Sequence, residues 1–261
     1  MTSYQPQTVQ GRLAGPPVRA LTRTCENGTV ILPHRHERGQ IVHAVAGVME
    51  MSAGDDLWII PPQRALWMPP NLPHGLRAMG TVELRTVFVH PEQIPTSFPA
   101  RPAVVTVSPL LRELLVRAVF IPDAYPADRR DGLIMALILM ELGWESDAPW
   151  RLPVGRDPRL TRVCSALLRR PDDNRTLTEW GKSTGASART LARLFAEETG
   201  VSFQHWRQQA RVVLSMPRLA AGVPIAIIAA DLGYETPGAF AAVFRRFTGQ
   251  PPSRYLLSCS T

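Results

Sequence analysis

The chain has 261 residues, enough for one large domain or two of ordinary size, and its 45% hydrophobic and 20% charged content excludes disordered and fibrous classes. Its longest apolar stretch, from Leu133 to Trp144, is interrupted by Glu141 and falls short of the ~20 residues that cross a bilayer. The net charge of +7 is unevenly spread: residues 1–150 hold 13 Arg against 14 acids, whereas residues 151–261 hold 15 Arg and the only lysine, Lys182, against 8 acids.

In chain order, the N-terminal segment has no charged stretch followed by an apolar run, so no signal peptide is expected and the chain reads as cytoplasmic. Cys25, Cys164 and Cys259 are odd in number and far apart, which argues for unpaired thiols and against a disulfide framework or zinc ribbon. From Thr29 to Val89, short β-rich runs (TVIL, QIVHAVAG, VMEM, LWII, RALWMPP, GLRAM, VELRTVFV) alternate with Pro, Gly and Asn breaks, the pattern of a β-sandwich or small barrel. From Ser108 the period becomes helical. Leu110, Leu111, Leu114, Leu115 and Ala118 share one face, and a second helix over Leu133–Trp144 is apolar on most sides, to be buried under the sheet or against another subunit. The segment from Ser146 to Pro158 has three prolines and a glycine and reads as a linker. The predicted organisation is a domain over 1–105, connecting or dimerisation helices over 106–156, and a second domain over 157–261.

The second domain contains a copy of itself. Shifted by 49 residues, Ser187 falls on Thr236, Leu191 on Phe240, Leu194 on Val243, Phe195 on Phe244, Thr199 on Thr248, Gly200 on Gly249 and Trp206 on Tyr255. In the first copy, Thr176 and Glu179 form a capping box that opens a helix stopped by Gly185. Ser187 then caps a helix with Leu191, Leu194 and Phe195 inward and Arg189, Thr190 and Arg193 outward. In the second copy, Ile225, Ile228, Ala229 and Leu232 make the apolar stripe, Gly233 stops it, and Thr236 and Pro237 open a helix. That helix has Phe240, Val243, Phe244 and Phe247 inward and Gly238, Ala239, Ala242, Arg245 and Arg246 outward. Each copy is thus a helix-turn-helix, whose second helix can enter a major groove. One such hairpin would read as an ordinary bundle with a solvated Arg face; two, on the only basic part of the chain, point to nucleic acid. The segment between them is helical up to Pro217, which should end or kink the helix, leaving a spacer of roughly 22 Å.

The run GASARTLARLFAEETGVSFQHWRQQAR, followed by IAIIAADLGYETPGAFAAVFRRFTGQPPSRY, resembles the paired helix-turn-helix domain of the AraC/XylS family of bacterial transcription regulators, over Leu160 to Leu256. The resemblance implies base-reading residues early on each second helix: Arg189, Thr190 and Arg193 in copy one, Pro237, Gly238 and Ala242 in copy two. Side chains that small cannot make bidentate base contacts, so copy two is expected to contribute phosphate and shape contacts through Thr236, Arg245 and Arg246; Ser187, which caps the second helix of copy one, is a further DNA-binding candidate. Double-stranded DNA, a homodimer partner and RNA polymerase are the macromolecular partners implied, and no membrane.

In the N-terminal part, PHRHERGQIVHAVAG places His34 and His36 two apart on a strand, with Gln40 four residues on, and His74 follows the turn in IIPPQRALWMPPNLPHGLRA. These runs resemble the two motifs of the cupin jelly roll, as carried by sensor domains of some AraC-like regulators. The expected fold is therefore a cupin-like β jelly roll followed by an all-α domain with two helix-turn-helix motifs. Imidazoles suit a divalent transition metal, so His34, His36 and His74 are candidate ligands, but Gln40 stands where metal-binding cupins usually have Glu. A metal site, a metal-free effector pocket and a vestigial site all remain open. Arg64 and Trp67 are further candidates for the effector pocket, and His43 reads as structural. The competing class is a cupin-type metalloenzyme, a dioxygenase or isomerase, fused to a DNA reader. No Asp or Glu accompanies the His cluster as acid or base, and a DNA reader is reason enough for a pocket, so no catalytic residue is assigned.

Overall fold

In the computed structural model, residues 3–4, 13–145 and 150–259 are described. They divide into two units, one of Met1–Gly54 with Ile60–Asp147, the other of Asp55–Ile59 with Ala148–Thr261.

The first unit is sheet-rich. It contains β1 (Ser3–Tyr4), β2 (Val18–Cys25), β3 (Val30–His34) and β4 (Gly39–Ala53). The next strand in the chain, β5 (Asp56–Ile60), is followed by β6 (Arg64–Met68), β7 (His74–Val89) and β8 (Ala103–Thr106). Helices α1 (Pro109–Ala118) and α2 (Arg130–Met140) come next, and β9 (Gly143–Trp144) closes the unit. The hydrogen-bonded order is β1-β3-β7-β4-β6-β8-β9, with β2 also paired to β7. Two strands are longer than expected. QIVHAVAG and VMEM run together as β4, because Gly47 takes a φ of 79° at a bulge instead of ending the strand, and GLRAM and VELRTVFV merge likewise into β7. Strand β2 begins before the first run that the sequence signals.

Alternation gives this sheet two buried faces. On one, Ile41, Ala65, Trp67, Val87 and Val105 pack against Leu111 and Leu115 of α1 and Met135 and Ile138 of α2. His43, two residues on from Ile41, is fully buried; its Nδ1 lies 3.2 Å from the carbonyl of Arg64, and burial lowers its pKa to about 4, which keeps it neutral and structural. The apolar helix resolves into two faces: Met135 and Ile138 are buried, whereas Leu133 and Met140 are 59% and 80% exposed. It also stops earlier than the apolar pattern suggests, since Gly143 and Trp144 pair with β8.

The second unit is helical. Residues 146–149 of the expected linker lie outside the described residues. Its later part is β10 (Arg151–Pro153), paired antiparallel with β5 and fixed to the helical body by Trp206, whose indole N–H donates to Pro153 O. Helices α3 (Pro158–Arg169), α4 (Leu177–Thr184), α5 (Ala188–Leu194), α6 (Phe203–Ala220), α7 (Ile225–Asp231), α8 (Pro237–Thr248) and α9 (Pro252–Cys259) come after it. The reciprocal box of Thr176 and Glu179 opens α4, and Gly185, at φ 69°, ends it. Pro217 does not end α6. It forfeits one backbone bond, and the helix continues to Ala220 with Ala221 N–H donating to Pro217 O.

The internal repeat is reproduced down to single atoms. Ser187 Oγ accepts from Thr190 N–H at 3.0 Å, and Thr236 Oγ1 from Ala239 N–H at 3.1 Å. At the far ends, Thr199 Oγ1 donates to Phe195 O at 2.7 Å and Thr248 Oγ1 to Phe244 O at 2.9 Å. Gly200 and Gly249 come next, with φ of 74° and 77°. Trp206 and Tyr255 are both buried.

Candidate functional site

The face of the first unit's sheet away from α1 and α2 borders a cavity of about 280 Å³. His34, Gln40 and His74 stand on it, with apolar walls from Ile31, Val42, Met51, Leu76 and Phe88. Strand pairing explains the assembly. His34 of β3 is the register partner of His74 in β7, and Gln40 of β4 is the partner of Phe88. His36 arrives differently from expectation: β3 ends at His34, so a loop delivers His36. Two contacts fix that loop. Buried Arg38 donates from Nη1 to Pro16 O and from Nη2 to Leu13 O, at 2.8 and 2.9 Å. Asn71, in a left-handed turn at φ 61°, donates its N–H to His36 O at 2.8 Å.

The three imidazoles gather with ring centroids 4.6 to 5.9 Å apart, and one ligand nitrogen from each can be chosen so that all lie within 4.8 Å of one another. Their Nδ1 atoms face backbone carbonyls: Leu32 O at 3.0 Å for His34, Arg38 O at 2.7 Å for His36 and Leu72 O at 2.8 Å for His74. A carbonyl only accepts, so each Nδ1 carries the proton, which in a neutral ring leaves the lone pair on Nε2. Burial pushes the His74 pKa down to about 4, the carbonyl of Leu72 opposing it, and burial also lowers that of His36; both rings are neutral at pH 7. His74 Nε2 is buried and meets no hydrogen-bond partner. His36 Nε2 lies 2.9 Å from Gln40 Oε1; with Nδ1 protonated and the ring neutral, that contact is favourable only with the amide rotated to present its NH₂. Three imidazoles with ligand nitrogens this close, one Nε2 buried without a partner, fit a divalent transition metal; the cluster includes no carboxylate.

Two residues expected at the pocket are elsewhere. Trp67 pairs with Ile41 in register and so projects to the opposite face, its indole N–H donating to Pro99 O at 2.9 Å and its ring lying against Gly39, where a Cβ would collide with it. Arg64 lies toward the end of the sheet and donates to Glu145 Oε1 at 3.0 Å. Conversely, Arg23, Thr86 and Phe88 line the cavity and were not singled out. For Thr86 and Phe88 the available signal was period-two alternation along the last strand, whereas Arg23 belongs to the unpredicted β2.

In the helical unit, Ser187, Arg189, Arg193, Thr236, Pro237, Gly238, Ala242, Arg245 and Arg246 are exposed and Thr190 is half-buried, while Leu191, Leu194, Phe195, Phe240 and Phe244 are buried beneath them. Arg193 is held by Glu197 at 2.5 Å and Arg246 donates to Gln208 Oε1 at 2.6 Å, whereas Arg189 and Arg245 make no hydrogen bond or ion pair among the described residues.

Residues 180–258 match the helix-turn-helix domain family and residues 22–90 the cupin domain family. The HTH-type transcriptional regulator NimR of Escherichia coli K12 is 29% identical over 228 residues, 87% of this chain and 83% of that protein. The arabinose operon regulatory protein of the same strain is 28% identical over 109 residues, 40% of this chain and 36% of that protein. The crystal structure of ToxT from Vibrio cholerae O395 covers 94% of this chain and 98% of its own, at 11% identity and a TM-score of 0.41. Among the described residues no helix is long and apolar enough to cross a membrane. With a cupin domain ahead of two helix-turn-helix motifs, and likeness to NimR over most of both chains, the chain is a DNA-binding transcription regulator similar to those of the AraC type.

Proposed function

We propose that this protein is a cytoplasmic, ligand-responsive regulator that acts without catalysis. Its cupin domain holds a divalent transition metal on Nε2 of His34, His36 and His74, and a small molecule enters the adjoining cavity. The observation that carries this reading is the cluster itself: three imidazoles with ligand nitrogens within 4.8 Å of one another, each Nδ1 set against a backbone carbonyl, and one Nε2 buried without a partner. The bound metal would offer open positions to a ligand oxygen. Arg38 and Asn71 position the His36 loop, and the apolar walls exclude water. No carboxylate among the described residues lines the cavity to serve as acid or base, which favours regulation over turnover.

On the DNA side, the exposed row Arg189, Thr190 and Arg193 reads bases in one major groove. Pro237, Gly238 and Ala242 let the second recognition helix approach closely, while Arg245 and Arg246 hold phosphates. The protein works as a homodimer. Leu133, Leu137 and Met140 lie at i, i+4 and i+7 on α2, with Arg130 at its start and Glu141 just past its end, so antiparallel pairing of two copies sets opposite charges side by side. A ligand then acts in proportion to its differential affinity for the active and inactive states.

Metal analysis of the purified chain tests the sensor. We expect roughly one first-row metal per chain, lost in His36→Ala and His74→Ala. Because burial lowers the His74 pKa to about 4, protonation of His74 should not be what releases the metal as the pH is lowered to 6. A metal-free preparation whose DNA affinity still responds to an added effector would refute the metal reading. Appearance of product from that effector would refute the non-catalytic one.

A further inference from the structure

The histidine site carries an unbalanced charge. Three neutral imidazoles bring nothing to offset a divalent ion, and the side chain beside His36 that could have been a carboxylate is the amide of Gln40. The remaining surroundings do not correct this. Among the described residues the cavity is lined by no Asp or Glu. A doubly charged ion beside partly buried imidazoles is costly unless a negative partner joins it. The described residues that line the cavity supply none, so that partner falls to the ligand. The cavity is also small, at about 280 Å³, and its Ile31, Val42, Met51, Leu76 and Phe88 walls suit a compact apolar body.

We propose that the ligand of this domain is a small organic anion, a carboxylate on a short apolar body, whose oxygens complete the coordination of a metal held by His34, His36 and His74. Gln40 is its specificity residue. A metal on His36 Nε2 would displace the Gln40 amide from that nitrogen, and the freed NH₂ would become a donor for a carboxylate oxygen, whereas Glu at the same place would take the metal's open position and repel the anion. This inference rests on the metal reading above.

The test uses the full chain loaded with Co²⁺, whose visible spectrum reports coordination directly. Cyclopentanecarboxylate and cyclopentanecarboxamide, alike in shape and different in charge, are titrated in parallel. The carboxylate should change the Co²⁺ spectrum and bind at least tenfold more tightly than the amide, and metal-stripped protein should show no such preference. Gln40→Glu should hold Co²⁺ at least as tightly and lose at least tenfold of the carboxylate's advantage; Gln40→Met, which adds no charge, should retain most of it. If Co²⁺ does not bind to the wild-type chain, the metal reading and this inference both fall. If Co²⁺ binds through the three histidines but the amide matches the carboxylate, or acetate and the carboxylate alike leave the spectrum unchanged, the anion inference is overturned while the metal site stands. That comparison is made on the wild-type chain and survives a variant that does not fold.

Discussion

The two helix-turn-helix copies differ where they face solvent and agree where they do not. Inside, Phe195 answers to Phe244, both fully buried, and the Thr199 and Thr248 hydroxyls close the helix ends in the same way. Outside, α5 presents Arg189 and Arg193, whereas α8 presents Pro237, Gly238 and Ala242 at its start and its arginines only in the last turn. Packing constrains the interior, because a buried change leaves a void, while a solvated side chain can change at little cost. The same scaffold can therefore carry one unit that discriminates among sequences and one that grips any duplex.

The largest effects should test the interior likeness. Phe195→Ala and Phe244→Ala should each cost about 3 to 5 kcal/mol, read as a shift in the urea midpoint at constant slope. A cost at one site less than half that at the other would break the equivalence. Next comes the exterior difference. Arg193→Ala should lose about 1 to 3 kcal/mol of affinity for the specific duplex and relax its preference. Its ion pair with Glu197 is an exposed i,i+4 pair worth only about 0.3 to 0.5 kcal/mol, so that pairing does not withhold it from DNA. Arg245→Ala should instead weaken specific and scrambled duplexes equally and reduce the salt slope by about one. Isotherms at two salt concentrations separate the two; an Arg193 variant with unchanged discrimination would remove the assignment. Smallest are the caps: Ser187→Ala and Thr236→Ala should each cost about 1 kcal/mol, measured by thermal unfolding, and a silent Thr236→Ala would show that Pro237 alone starts α8.

The caps, stops and repeat of the second domain were legible because their causes are local. Thr176 and Glu179 meet within one turn, and Gly185 needs only its own φ. The first domain was legible in kind but less so in register. Whether Trp67 looks into the cavity or away from it depends on which β4 residue it opposes, and pairing with Ile41 is a fact of tertiary structure. The same holds for Arg64, placed at the pocket from sequence and found with Glu145. Strand β2 escaped because its Arg and Thr residues dilute the apolar signal, and Arg23 escaped with it. The His cluster was visible as spacing, but its tautomers were not, since the carbonyls that set them belong to the backbone of the folded loops.

Helix α6 joins the two copies as 18 uninterrupted residues, Pro217 included. Every residue added to a straight helix turns the downstream chain by about 100° and advances it by about 1.5 Å. An insertion of one or two residues would therefore swing α8 to another side of the helix axis, while three or four would nearly restore its azimuth. Regulators built on this plan can change the separation of their two DNA contacts only in steps close to a whole turn, so operator spacing should be quantised across variants of this connecting rod.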